Sequence, residues 1–278
     1  MAKRKTDSSC TNSESCKTSN SCKFVEKQLL LPTIYKLNLS FGKKVIIGFE
    51  EDEQSGDLYP AARLIGKDFI GVSFKTNAWY NFQKDFNTIS EYFDTTDDVA
   101  EKMRDQQFIK EDFLLLFTIS YGQRSIIIEG LQNYCREELD IQNRQDAAKK
   151  RRKFNPWAII IQKNTFDNLK EICVCINERL KKLEAITECV NYCKDILIKR
   201  INIEVSKNDF KMDLHSVTHF IKTVRSILEK QICNEVNIKY PIFAEQEFHI
   251  IFLELTTIYR TYTAQKVINA AINTSVLE

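Results

Sequence analysis

KKVIIGFEEDEQSGDLYPAARLIGKDFIGVSFKTNAWYNFQKDF, residues 43–86, changes its hydrophobic period once, and the fold class turns on that change. KKVIIGFEE (43–51) is rich in β-branched and aromatic residues and reads as a strand. The polar DEQSGD (52–57) supplies a turn, DLYPAARLIG (57–66) a second strand and DFIGVSF (68–74) a third. Pro60 suits an edge, an end or a bulge, because it has no N–H to give to a ladder. TNAWYNFQKDFNTISEYF (76–93) then switches to helical spacing, with Trp79, Phe82, Phe86, Ile89 and Phe93 three or four apart. Asn77 is placed to accept a hydrogen bond from the first-turn amides. Upstream, TIYKLNLSF (33–41) adds one more strand. The unit is four strands followed by one helix.

Similar text returns downstream. LSFGKKVII (39–47) matches ISYGQRSII (119–127), pairing Ser40 with Ser120, Phe41 with Tyr121, Gly42 with Gly122, Lys44 with Arg124, Ile46 with Ile126 and Ile47 with Ile127. KTNAWYNFQKDF (75–86) matches KNTFDNLKEIC (163–173) with one residue dropped, pairing Lys75 with Lys163, Asn77 with Asn164, Trp79 with Phe166, Asn81 with Asn168 and Phe82 with Leu169. Two matches in one order point to an internal duplication. Each copy has an apolar sheet face that one helix cannot cover, so the copies are expected to pack across a pseudo-two-fold axis as a pseudo-dimer.

The expected architecture is α+β. Residues 1–32 read as a disordered, basic and Ser-rich tail, 33–93 as the first unit, 94–111 as an acidic linker, either a solvated connection or a short helix, 112–183 as the second unit and 184–278 as a helical region. The second unit carries a polar insertion (131–156) ending in KKRRK at 149–153, expected to form a mobile hairpin or loop before WAIIIQK (157–163). From Phe166 through Leu169, Cys173, Ile176, Leu180, Leu183, Ile186, Val190 and Cys193 to Leu197 runs an apolar helical stripe. It fits one helix or two with a break near 183–186. Further stripes, Leu214 to Ile232 and Phe248 to Ala271, suggest a helical bundle or an interface for self-association or a protein partner.

Composition narrows the chemistry. Forty Lys and Arg against 38 Asp and Glu leave a net charge of +2, so any nucleic-acid site must be local. No run of 18 apolar residues occurs, and MAKRKTDSSC lacks the apolar stretch of a signal peptide, so an intracellular protein of nucleus or cytoplasm is expected, away from membranes. The nine cysteines then read as reduced thiols. Neither GxGxxG nor GxxxxGK[ST] is present. Cys10, Cys16 and Cys22 lack the CxxC step, and His215 and His219 lack the glutamate of HExxH. Cys189 and Cys193 read as small apolar packing, and the acids at 50–53 as the border of a turn. No catalytic residue, metal or cofactor is expected, and the chain reads as a non-enzyme.

Basic and aromatic residues intermingle in the strands. Lys43, Lys44, Arg63, Lys67 and Lys75 in the first copy are joined by Arg124, Lys149, Lys150, Arg151, Arg152, Lys153 and Lys163 in the second. Tyr59, Phe74 and Trp157 are candidate stacking rings. Single-strand binders use such a mixture, cations along the phosphates and ring faces against unpaired bases. An ordinary half-buried sheet with a solubilising outer face would contain the same residues.

A resemblance separates the two readings. Residues 43–86 resemble the single-stranded-DNA-binding domain of the PC4/Sub1 transcriptional coactivators: a basic first pair, an acidic turn, Pro60, Gly66-Lys67, Gly71-Val72-Ser73-Phe74, and a helix opening Trp79-Tyr80-Asn81-Phe82-Gln83-Lys84. The second copy keeps Ile159-Ile160-Ile161-Gln162 and Phe166-Asp167-Asn168-Leu169-Lys170 but lacks the proline and the Gly-Lys element. The resemblance implies two curved four-stranded sheets, each with a helix, pairing to hold unpaired DNA, here within one chain. The function it implies is sequence-nonspecific binding of single-stranded DNA or RNA in transcription, replication or genome packaging. The alternative is a structural or assembly protein that uses the same scaffold for protein contacts.

Overall fold

The computed structural model describes residues 29–39, 42–52, 54–66, 71–104, 106–110, 112–131 and 158–207, together with 235, 239, 240, 250–255 and 257. Lys67, the basic run 149–153, Trp157, the three histidines and Cys10, Cys16 and Cys22 lie outside the described residues.

Two similar four-stranded antiparallel sheets are followed by helices. The first is the meander β1 (Leu30–Lys36), β2 (Lys44–Glu51), β3 (Leu58–Ile65) and β4 (Gly71–Lys75). α1 (Thr76–Lys84), α2 (Phe86–Asp94) and the short α3 (Asp97–Met103) follow it. The second meander is β5 (Gln107–Ile109), β6 (Phe113–Ser120), β7 (Gln123–Gly130) and β8 (Ala158–Gln162). After it come α4 (Lys163–Glu171) and α5 (Cys173–Lys207).

Several local expectations change. The helix expected over 76–93 is two, broken at Asp85, and the backbone of Lys75, not Asn77, occupies the N-cap, without a side-chain cap. The acidic stretch 94–111 holds the short helix α3, one of the two forms expected for it, and in addition the first strand of the second sheet. Of the two forms expected for the long stripe, the structure has no break near 183–186, and one helix runs from Cys173 to Lys207. Pro60 lies in an interior strand, yet the β3–β4 ladder begins only at Ala61, so at Pro60 the strand has one neighbour rather than two.

The two units repeat one order of strands and helices, as a tandem sheet-plus-helix repeat would, but one of the two sequence alignments is displaced. Gly71–Lys75 falls on Ala158–Gln162, α1 on α4, and the start of α2 on the start of α5, with no residue dropped. Trp79 with Phe166, Asn81 with Asn168, Phe82 with Leu169 and Asn77 with Asn164 are therefore equivalent, whereas Lys75 matches Gln162. The pairing of Gly42 with Gly122 fails. Gly122 closes the β6–β7 hairpin in a two-residue turn, with Tyr121 at φ 53° and Gly122 at φ 74°. Its counterpart is the β2–β3 turn, while Gly42 lies between β1 and β2. A turn glycine followed by a basic residue and two isoleucines describes either hairpin, which is why the strings align one strand out of step.

Both sheets share one core. Val45, Ile47, Leu64, Val72 and Phe74 meet Leu115, Phe117, Ile126, Ile128, Ile159 and Ile161 in a continuous buried cluster with the helices. The helices are exchanged between halves: α5 packs on β2 and β3 of the first sheet, and α2 packs on β7 of the second. Two polar contacts are related by that exchange. Gln83 of α1 donates to Asn177 of α5 at 2.7 Å, and Lys170 of α4 donates to Ser90 of α2 at 3.0 Å. Gln83 and Lys170 hold the same position in their helices, as do Asn177 and Ser90. The indole of Trp79 also donates to Asn177, at 2.9 Å.

Further ties bind α5 across the first sheet. Asn191 exchanges two hydrogen bonds with the backbone of Leu58, Lys194 donates to the Gly56 carbonyl, and Arg179 donates to the Leu31 carbonyl at 3.0 Å. Leu31 sits in a β-bulge with φ 53°, and its N–H donates to Glu254. The described stripe residues of α4 and α5 are thus spent inside the chain's own core, and Ile251, Phe252 and Leu255 join the same cluster.

Candidate nucleic-acid interface

Side chains alternate across a strand, so burying Val45, Ile47 and Phe49 sends Lys44, Ile46, Gly48 and Glu50 to the opposite face. The register carries this to the neighbours. Lys44 lies opposite Ile65, Ile46 opposite Arg63, Gly48 opposite Ala61 and Glu50 opposite Tyr59. On β4, Ser73 faces Arg63 and Lys75 faces Ala61, while Lys36 of β1 faces Lys44. Four sequence candidates, Lys44, Arg63, Lys75 and Tyr59, therefore share the outer face of the first sheet.

Most of the charge on this face is already engaged. Arg63 Nη2 lies 2.8 Å from Glu50 Oε1, and the Ser73 hydroxyl donates to the other Glu50 oxygen. Lys75 Nζ lies 3.1 Å from Asp52 Oδ2 and 4.6 Å above the centre of the Tyr59 ring. Asp52 also accepts the N–H groups of Ser55 and Gln54 at 3.1 and 3.0 Å. Those two amides, more than Lys75, hold its carboxyl down at about 2. Burial pushes the Lys43 amine below its ordinary value, and the Lys43 N–H donates to Asn38. At the other margin Leu29 covers the face, packed on Ile46 and Ile65.

The remaining candidates are placed elsewhere. Phe74 is fully buried, with ring centres of Phe82 at 5.2 Å, Phe113 at 5.6 Å and Trp79 at 5.9 Å, so it offers no ring face to a base. Arg124 holds the C-terminal end of α2, donating to the carbonyls of Tyr92 at 3.1 Å and Thr95 at 2.6 Å and pairing with Asp97. Lys163 pairs with Asp94, whose hydrogen bond raises its pKa, and lies 3.6 Å from Asp167. Neither belongs to the first sheet's outer face.

Sequence reading missed the part played by Glu50. Its position is legible, since residues 44, 46, 48 and 50 alternate onto one face, but in sequence the acids at 50–53 read together as the border of a turn. Among the described residues no group of three His, Cys, Asp or Glu side chains is arranged for a metal ion. No described helix is long and apolar enough to cross a membrane. Cys189 and Cys193 are buried on α5, where a hydrogen bond from Cys193 lowers the Cys189 pKa. No family model matches the chain, and neither a curated protein nor a solved structure matches it.

Proposed function

We propose that the protein binds single-stranded DNA or RNA, without base preference, across the outer face of the first sheet, as a PC4/Sub1-like pseudo-dimer acting in transcription, replication or genome packaging. The observation that carries this reading is the gathering of Lys44, Arg63, Lys75 and the part-exposed Tyr59 on one sheet face, with Lys36 beside them. Cations spaced along strands suit a phosphate backbone, and a ring at the margin suits a base. The Lys75–Asp52 pair is exposed and screened by solvent, so a phosphate displaces the carboxylate at low cost. The strand-strand-strand-strand-helix order in both halves, with helices exchanged between them, supports the PC4-like reading. In this reading the protein is a binder and not an enzyme.

A labelled strand of about 20 bases tests it. Wild type should bind it below about 10 μM at low salt and prefer it to duplex, and binding should weaken as salt rises. Failure to bind, or preference for duplex, returns the protein to the assembly reading. One observation already favours that second reading: Arg63, Lys75, Arg124 and Lys163 each hold a carboxylate of the same chain. Its own test is a stable complex with a protein partner or a second copy that survives removal of nucleic acid.

A further inference from the structure

Arg63 stands at the centre of the outer face, and what surrounds it has the form of an anion seat. Between Arg63 and Glu50 lie Gly48 and Ala61, opposite each other in the register. Gly48 is required here, since a Cβ would come within 2.7 Å of the Leu30 carbonyl and 3.0 Å of the Leu29 side chain. Ala61 faces outward yet has no exposed surface, so longer neighbouring side chains cover it. The Glu50 carboxylate spans these two small residues, takes Arg63 on one oxygen and takes the Ser73 hydroxyl on the other.

A guanidinium and a hydroxyl converging on one carboxylate is the donor set that a phosphate oxygen pair requires. The Arg63 and Glu50 side chains are only 13% and 17% exposed, so the pair is better shielded from water than the neighbouring Lys75–Asp52 pair. Two anions cannot share the seat, because their repulsion grows as water is excluded.

We propose that Glu50 is a built-in occupant of a phosphate seat formed by Arg63 and Ser73, and that it sets the affinity of the first sheet for a nucleic-acid backbone by having to leave before a phosphate enters. This rests on the single-strand reading above and adds to it a named residue that opposes binding. Glu50 also pre-positions the site: while it is in place, Arg63 is held across the face and not extended into solvent, so the donors are set when the carboxylate swings away.

The test uses the full chain with Glu50→Gln, which keeps the length and one oxygen acceptor for Ser73 but removes the charge. Its partner is the double variant Glu50→Gln/Arg63→Gln. Titration with a labelled oligothymidylate of about 20 bases at two salt concentrations should show Glu50→Gln binding about fivefold tighter than wild type. Its salt slope should be steeper by about 0.7, one further phosphate neutralised. The gain should vanish in the double variant. Wild-type binding with Glu50→Gln unchanged or weaker overturns the proposal and leaves the single-strand reading standing. Failure of wild type to bind, with or without binding by Glu50→Gln, overturns the single-strand reading and the proposal with it. A thermal melt of each variant identifies any change in affinity, loss or gain, that comes from unfolding.

Discussion

The two sheets agree on their inner faces and part company on their outer ones. Inside, the registers match Val45 with Leu115, Ile47 with Phe117, Leu64 with Ile128, Val72 with Ile159 and Phe74 with Ile161, all buried and apolar. Outside, Lys36 corresponds to Ile109, Lys44 to Leu114, Arg63 to Ile127, Ser73 to Ile160 and Lys75 to Gln162. Ile109 and Ile160 are 46% and 40% exposed, so these are surface positions and not a second core. A shared core constrains both inner faces to the same chemistry, whereas the outer faces answer only to what they meet. If the molecule holds a phosphate backbone, the first face does it, and the exchanged helices make the second half its support.

The largest effects should fall where the halves agree. Phe74→Ala should cost about 3–5 kcal/mol and Ile161→Ala about 2–5 kcal/mol, since each leaves a cavity in the one core. Urea unfolding should show a single transition in both variants, displaced to lower denaturant. Two separate transitions would break the claim of a common core. Next come the outer faces. Replacing Lys44, Arg63 and Lys75 together with Gln should weaken single-strand binding by about tenfold or more, each lost phosphate contact lowering the salt slope by about 0.7. Replacing Ile109, Ile127 and Ile160 with Gln should leave both affinity and slope unchanged. An equal loss from the second set would place nucleic acid on both sheets.

How much of this could be read in the chain follows from where the information is local. Strand and helix types were legible because period two gives way to period three-to-four within residues 43–86, and the match of Trp79 to Phe166 survived because buried aromatics and helix positions move together. The hairpin match slipped because a turn glycine and two isoleucines recur in any hairpin of this kind. The strand at 107–109 was hidden by its brevity and its acidic flanks. Lys44, Arg63, Lys75 and Tyr59 are legible as strand residues of one unit, and the register then puts them on one face, whereas the place of Arg124 depends on carbonyls at the end of α2, some 30 residues away in sequence. Nothing local marks an arginine as a helix-end partner. Glu50 was hidden for a different reason, in that a carboxylate engaged across two strands looks the same in sequence as one beside a turn.

Arg124 supplies the next smaller effect, and it contrasts with Arg63. Arg124→Ala removes a cation from the C-terminal end of α2, together with its carbonyl contacts, and should destabilise the protein by about 1–2 kcal/mol in urea unfolding. Single-strand affinity should be unchanged under conditions where the variant is folded. Arg63→Ala should behave in the opposite way, with affinity falling more than stability. If the two variants lose affinity alike, the basic residues of both halves serve one strand and the division between the faces is wrong.

The smallest effect separates the two equivalent hairpins. The β2–β3 turn contains Asp52, held near 2 by the amides of Ser55 and Gln54 and then by Lys75, while the β6–β7 turn is Tyr121–Gly122 with no acid. An unfolded aspartate titrates near about 3.9, so the folded value is depressed, and ionised Asp52 favours the folded state. That contribution is fully present above about pH 4 and is lost as pH falls through the folded value near 2. Asp52→Asn should therefore lower the melting temperature slightly at neutral pH, and the gap from wild type should close between about pH 4 and 2. Asparagine can still accept the turn amides, so the gap is small from the outset. Lys75→Gln should leave most of it in place, because the backbone amides outrank the lysine in holding the carboxylate. If Lys75→Gln instead erases the gap, Asp52 belongs to the charged face first and to the turn second. In that case Asp52→Asn should also tighten single-strand binding, as Glu50→Gln is expected to do.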